Sequence, residues 1–314
     1  MEFSKKFRVI AIIALGMALI GACSQQSAQE ELRSPLTMGL MGSLDAVPLI
    51  IAKEEGYFEE EGVTVNLESF TSARDRDIAF QGSEEIDGVM FDLVAVGIYN
   101  DNGIPVTVTS ASDGAIGILA NENVQSLEEL KGKTVIISRN TAMEYILNVA
   151  LESVGLTMED VIIEEVPALP TRLELISNGQ ADVAIIPDPF FTMGLERGLH
   201  SLGTNEDLGV NPFVYVFREE VVNTKQEELK AFYRAYNKAI DFMNNSDESA
   251  YIDYVIQTVG YPESLRDDLI IPIFPKHYNP SQQQVEHVLD WAKTKGLVTT
   301  DLSFEDVVSR VGFE

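Results

Sequence analysis

GSEEIDGVMFD at residues 82–92 and GQADVAIIPD at residues 179–188 are two versions of one phrase. Each sets a glycine, then an acid at the entry to a short apolar run, then an aspartate where that run ends. A bounded apolar run of this length reads as a buried strand, and in open α/β sheets ligands bind at the carboxyl ends of the strands. If two lobes face each other with those ends inward, Asp92 and Asp188 stand on opposing lips of one cleft. Each aspartate is also placed to cap the helix that follows, and one side chain can do both.

Working outward, β-branched runs alternate with helical patterns, the signature of βαβ units and mostly parallel sheets covered on both faces. Strands are expected near Thr37–Leu40, Val63–Glu68, Ile86–Met90 and Val106–Thr109, with helices near Ala46–Glu55, Ala73–Phe80 and Leu93–Asn100 between them. A second series follows: strands near Thr134–Ile137, Val161–Glu165 and Ala181–Ile186, helices near Ala142–Val154, Thr171–Ser177 and Phe190–Glu196. The alternation stops near Asn211 and the remainder is mostly helical. Over Lys225–Met243, apolar residues at Leu229, Phe232, Tyr233, Tyr236, Ile240 and Met243 fall three and four apart, one face of a core helix.

The chain has 314 residues, 45% hydrophobic and 23% charged, long enough for two domains. Lys plus Arg number 22 against 50 Asp plus Glu, a balance that repels nucleic acid and anionic lipid and leaves any anion to be held locally. One cysteine excludes a disulfide framework, and three histidines leave little for a metal centre. Lys5, Lys6 and Arg8 precede an apolar stretch from Val9 to Ile20, too short to span a bilayer. GxxxxGK[ST], GxGxxG, HExxH, GxSxG and CxxC are all absent, and His200, His277 and His287 are scattered. No catalytic residue, cofactor or metal is called for.

Several loops join small polar residues to a helix start, where free N–H groups and the dipole hold polar ligand groups. Ser43, Leu44 and Asp45 follow the first strand. Ser72 is the expected cap of the next helix, with Asp75 in box spacing, and Arg74 is the cation on its first turn. That arginine either enters the cleft or pairs with Asp75 or Asp77 on the surface. In the second series Asn140 and Thr141 lead a helix, with Thr141 and Glu144 in capping-box spacing and Glu144 structural. Pro187 and Pro189 stiffen the loop that holds Asp188.

The stretches LIIAKEEGYFEEEGVTVNLESF at 49–70, SLEELKGKTVIIS at 126–138, ISNGQADVAIIPDPF at 176–190 and the Phe213–Phe217 strand resemble the substrate-binding proteins of ABC importers for nitrate, sulfonates, taurine and pyrimidine precursors. The similarity runs from about Leu36 to Leu297. Where many members carry a Ser/Gly-rich loop, this chain has SARDRD at 72–77. The resemblance implies a two-lobed α/β periplasmic-binding-protein fold, with two crossing hinge strands and a mostly helical C-terminal part. It places the crossings near Ser110–Gly117 and Thr204–Pro212, so that lobe 1 takes 36–117, lobe 2 takes 118–204, and 205–314 holds the return hinge, the rest of lobe 1 and the C-terminal helices. By the same analogy the ligand contacts are Ser43, Leu44, Asp45, Ser72, Arg74, Asp92, Asn140, Thr141 and Asp188.

Residues 1–22 also resemble a bacterial lipoprotein signal, with Cys23 as the lipidated (palmitate-bearing) first residue of an exported protein and 23–35 as its tether. The alternative is a free thiol after an ordinary signal peptide. The expected partners are a small-molecule ligand and the permease and ATPase subunits, with the chain a monomer held to the extracytoplasmic face of the cell membrane. A nitrogen heterocycle such as a thiamine precursor is the expected ligand, because Asp45, Asp92 and Asp188 accept N–H donors. Sulfonate, taurine or nitrate is the alternative, and a pyrimidine-synthesis-type enzyme or a ligand sensor on the same fold are readings of a different class.

Overall fold

A computed structural model describes residues 34–70 and 72–313. The expected signal, Cys23 and most of the tether lie outside the described residues. No helix among the described residues is long and apolar enough to cross a membrane.

The strands are β1 (Leu36–Met41), β2 (Val65–Phe70), β3 (Gly88–Asp92), β4 (Val106–Ala111), β5 (Ile116–Ala120), β6 (Thr134–Ile137), β7 (Ile162–Glu165), β8 (Val183–Pro187), β9 (His200–Thr204) and β10 (Phe213–Arg218). They form two five-stranded sheets, ordered β2-β1-β3-β10-β4 and β7-β6-β8-β5-β9. The helices of the first lobe are α1 (Val47–Glu54), α2 (Tyr57–Glu60), α3 (Ala73–Gly82) and α4 (Leu93–Asp101); those of the second are α5 (Ala142–Ser153), α6 (Leu169–Ser177) and α7 (Phe190–Glu196). The chain then returns through β10 to α8 (Glu219–Thr224), α9 (Gln226–Asn245), α10 (Ile252–Val259), α11 (Gln282–Thr294) and α12 (Phe304–Val307).

Inner strands such as β3 and β8 are buried through nearly their whole length, as strands covered by helices on both faces must be. Every apolar residue expected on the face of α9 is buried there, packed on the helices around α1. The sheets are less uniformly parallel than the alternation suggests. β10 runs antiparallel to both β3 and β4, and β5 runs antiparallel to both β8 and β9. These are the strands by which the chain enters each lobe after crossing from the other.

The crossings are shorter than expected. Ser110 and Ala111 complete β4 and Ile116 and Gly117 open β5, leaving 112–115 as the first connection and 205–212 as the second. The two are tied to each other: the Ile116 N–H donates to Asn205 Oδ1 at 2.7 Å and Asn211 Nδ2 donates to the Ser112 carbonyl at 2.8 Å. Gly117 is required by packing, since a Cβ there would stand 2.1 Å from the Phe191 ring.

The internal repeat read from the two phrases extends to individual bonds. Asp87 Oδ2 accepts the Thr37 N–H at 2.8 Å, and Asp182 Oδ2 accepts the Thr134 N–H at 2.9 Å. Strand register makes these pairs equivalent, because Met38 pairs with Gly88 as Val135 pairs with Val183. In the same register Met90 corresponds to Ile185. The Met90 carbonyl accepts from Arg76 on α3, and the Ile185 carbonyl accepts from Arg172 on α6.

Candidate functional site

Each expected contact sits at a strand end. A 3-10 turn, Leu44–Ala46, follows β1 and buries Leu44 and Asp45 completely enough to remove the Asp45 carboxylate from water. Two hydroxyls serve it: Ser43 Oγ donates to Oδ1 at 2.5 Å and Ser112 Oγ donates to Oδ2 at 2.8 Å. Burial pushes the carboxyl up from its usual range and the hydroxyls oppose that rise. The turn is further held by Tyr215, whose hydroxyl donates to the Asp45 carbonyl at 2.5 Å.

On α3 the expectations divide. Ser72 Oγ accepts the Asp75 N–H at 3.1 Å, the cap its spacing implies. Arg74 is exposed, and the buried cation of this helix is Arg76. Residue 76 shares the sheet-facing side of the helix with Phe80, four residues on, so its stem is drawn inward. Its guanidinium lies 4.6 Å over the Phe91 ring, donates to the Met90 carbonyl at 2.5 Å and pairs with Asp77 at 2.8 Å. The spacing of Arg76 and Phe80 was legible as an inward face, but a charged side chain there does not announce burial.

Asp92 caps its helix and also reaches into the second lobe. Oδ1 caps α4 by accepting the Ala95 N–H at 2.9 Å, while Oδ2 accepts the Ala142 N–H at 3.2 Å from the first turn of α5, across the lobe boundary. Burial raises this carboxyl too. Asp188 holds the start of α7 through the Thr192 N–H at 3.0 Å and hydroxyl at 2.7 Å. It also acts on Tyr261, whose phenol is pushed above its ordinary range by burial and by that carboxylate. Tyr261 follows α10 in the C-terminal part, so this too crosses between lobes.

The lead into α5 differs from a reciprocal box. Thr141 Oγ1 accepts the Met143 N–H at 3.2 Å, but Glu144 reaches one residue further back, to the Asn140 N–H at 2.7 Å. Asn140 has φ 59°, a left-handed conformation that asparagine tolerates, and this shifts its N–H into reach.

Sequence reading passed over Asp113, Tyr278 and Asn211 beside the first crossing. The Asp113 carboxyl is raised by burial and accepts the Tyr278 hydroxyl at 2.8 Å. It also passed over Arg172, fully buried in lobe 2, whose guanidinium is lowered to about 10 by burial. It donates to the carbonyls of Val166 at 2.5 Å and Ile185 at 2.6 Å, and to Ser138 Oγ. Three strands of lobe 2 are thus fastened by one side chain, β6 and β7 just past their ends and β8 at its middle. Chemically, the facing edges present buried carboxylates, hydroxyls and a helix N-terminus, groups that bind and orient. Among the described residues, no group of three or more His, Cys, Asp and Glu could hold a metal ion.

The chain is similar to several known proteins. A binding protein of Brucella abortus strain 2308 is 24% identical over 206 residues, and the match spans 64% of each chain. The formylaminopyrimidine-binding protein of Halalkalibacterium halodurans is 24% identical across 98% of this chain and 99% of its own. The periplasmic aliphatic sulphonate binding protein SsuA of Escherichia coli superposes with a TM-score of 0.74 at 17% identity, covering 90% of this chain and 99% of that one. Such a likeness at that identity establishes the two-lobed binding-protein fold. A family model described as NMT1/THI5 like matches residues 43–250, two thirds of the chain, which therefore belongs to that family.

Proposed function

We propose that the protein is the extracytoplasmic solute-binding component of an ABC importer, taking a small polar organic ligand between its lobes and delivering it to a permease. The observation that carries this reading is the Asp92 carboxylate, which reaches from a strand end of lobe 1 to the first turn of α5 in lobe 2. Strand ends of the two lobes therefore meet within hydrogen-bonding distance, where a ligand can bridge them and favour closure. Ser43, Leu44, Asp45, Ser72, Arg74, Asp92, Asn140, Thr141 and Asp188 are the proposed contacts, joined by Arg76 and Ser112. The protein binds and releases its ligand without transforming it, is anchored by lipid at Cys23, and works as a monomer.

The ligand class we favour is a nitrogen heterocycle with N–H donors, because the carboxylates at the facing edges accept hydrogen bonds and outnumber the cation Arg76. The formylaminopyrimidine-binding relative supports it. A sulfonate held by the α5 N-terminus is the second reading, favoured by the likeness to the Escherichia coli protein.

Thermal unfolding of residues 24–314 with aminopyrimidines, taurine, short alkanesulfonates and nitrate separates the two. A ligand at one hundred times its dissociation constant adds roughly 2.7 kcal/mol and several degrees to the midpoint. A shift confined to aminopyrimidines supports the favoured class, one confined to sulfonates or nitrate replaces it, and no shift with any withdraws both.

A further inference from the structure

Helix α11 belongs to lobe 1 by its packing. Its buried residues Val285, Val288, Leu289 and Ala292 face α4, where Gly97 lets Leu289 come close: a Cβ on that glycine would lie 3.1 Å from the leucine. The other side of α11 carries His287, Trp291 and Lys295 at intervals of four, one stripe along the helix and its C-cap. That stripe meets α5 of lobe 2. His287 Nδ1 and the Tyr145 hydroxyl are hydrogen-bonded at 2.8 Å, and Trp291 sets its ring edge-on to Tyr145 with centroids 5.6 Å apart. Lys295 pairs with Glu144, a carboxylate only 1% exposed, and its Nζ lies 5.3 Å over the Trp291 ring. Burial pushes the Tyr145 phenol up to about 12, so it stays a neutral hydrogen-bonding group.

Open recesses of about 530 and 770 Å³ flank this seam, the first lined by Asn148, Met158 and Trp291, the second by Tyr145, Val210 and His287. The contact lies between these recesses, with Tyr145 itself buried and Trp291 packed against the same apolar cluster. Gly209 and Val210 of the second crossing line the larger recess, so the bridge stands beside the hinge.

We infer that the His287–Trp291–Lys295 stripe is a latch between the lobes, formed in the closed arrangement and weakened when the lobes part, so that it sets the open-to-closed ratio independently of ligand. The latch goes beyond the proposed function and stands whether or not the ligand class is right. His287, Trp291 and Lys295 are not among the proposed ligand contacts, while Glu144, the partner of Lys295, also accepts the N–H of the proposed contact Asn140.

The test is small-angle X-ray scattering of the chain from residue 24 onward, which holds the whole compact unit Ser34–Glu314. No ligand is added. Lys295→Glu sets two carboxylates against each other and should raise the open-to-closed ratio about tenfold, seen as a larger radius of gyration. Lys295→Met and Tyr145→Phe each remove one bond and should give smaller increases in the same direction. Trp291 is the one tryptophan of the sequence, so its emission should shift to the red in the same order. Should Lys295→Glu lose its far-UV circular dichroism, the two milder variants decide. A radius of gyration equal to that of the parent chain in every folded variant overturns the latch.

Discussion

Arg76 and Arg172 occupy equivalent places in the two lobes, each on the helix after the second strand and each donating to the carbonyl at the same register of the third. Their surroundings are opposite. Arg76 has Asp77 as an ion-pair partner, and its charge also acts on the carboxyls of Asp45 and Asp92. Arg172 is bound by two carbonyls and a hydroxyl, and its charge is held at a cost that lowers its pKa. A repeated backbone device has been kept for architecture in lobe 2 and joined to an acidic site in lobe 1. The lesson is that equivalent residues of a repeat share a bond while differing in electrostatic role.

The strongest way to break the comparison is Arg172→Ala, which strands two buried carbonyls and Ser138 and opens a cavity. A loss of about 3–4 kcal/mol is expected, read from urea unfolding. Arg76→Ala should cost less, roughly 1–2 kcal/mol, because it leaves one carbonyl unserved and frees Asp77 to turn to water. Equal losses would mean that the two arginines do the same work. Between these lies Gly117→Ala, about 2 kcal/mol, since the new Cβ collides with Phe191 beside the first crossing.

A pH series sharpens the contrast from the acidic side. Asp45, Asp92 and Asp113 have carboxyls raised by burial, so the native state holds protons that the unfolded chain has already released. Their part of the stability therefore grows as pH falls through the raised values, and it is complete only below the unfolded value near 3.8. Asp45→Asn should flatten the part due to that residue, shown by the difference in midpoint between pH 7 and pH 5. An undiminished gain would mean that Asp45 does not titrate there. The smallest effect is expected from Arg74→Ala, within about 0.5 kcal/mol in the same urea experiment, because that side chain is exposed.

Much of the site was legible because its parts are local. Ser72 capping α3, Asp92 capping α4 and the apolar face of α9 follow from spacings of three and four residues, which a sequence displays directly. Ser112, Tyr215 and Tyr261 were not legible, since each matters through a partner 67, 170 or 73 positions away. Arg76 rather than Arg74 was decided by which side of one helix turn meets the sheet, a two-residue difference that composition does not resolve. The antiparallel strands β5 and β10 escaped for a related reason: an isolated apolar run has no direction until it finds a neighbour.

By itself, then, the sequence determined the two α/β series, their shared phrase and the placement of acids at strand ends, because hydrophobic periodicity and capping act within a few residues. Tertiary structure decided which of those acids are dehydrated, which arginine is buried and which side chains bridge the lobes. Those outcomes depend on burial and on long-range partners, and both come into being when the two sheets are brought edge to edge.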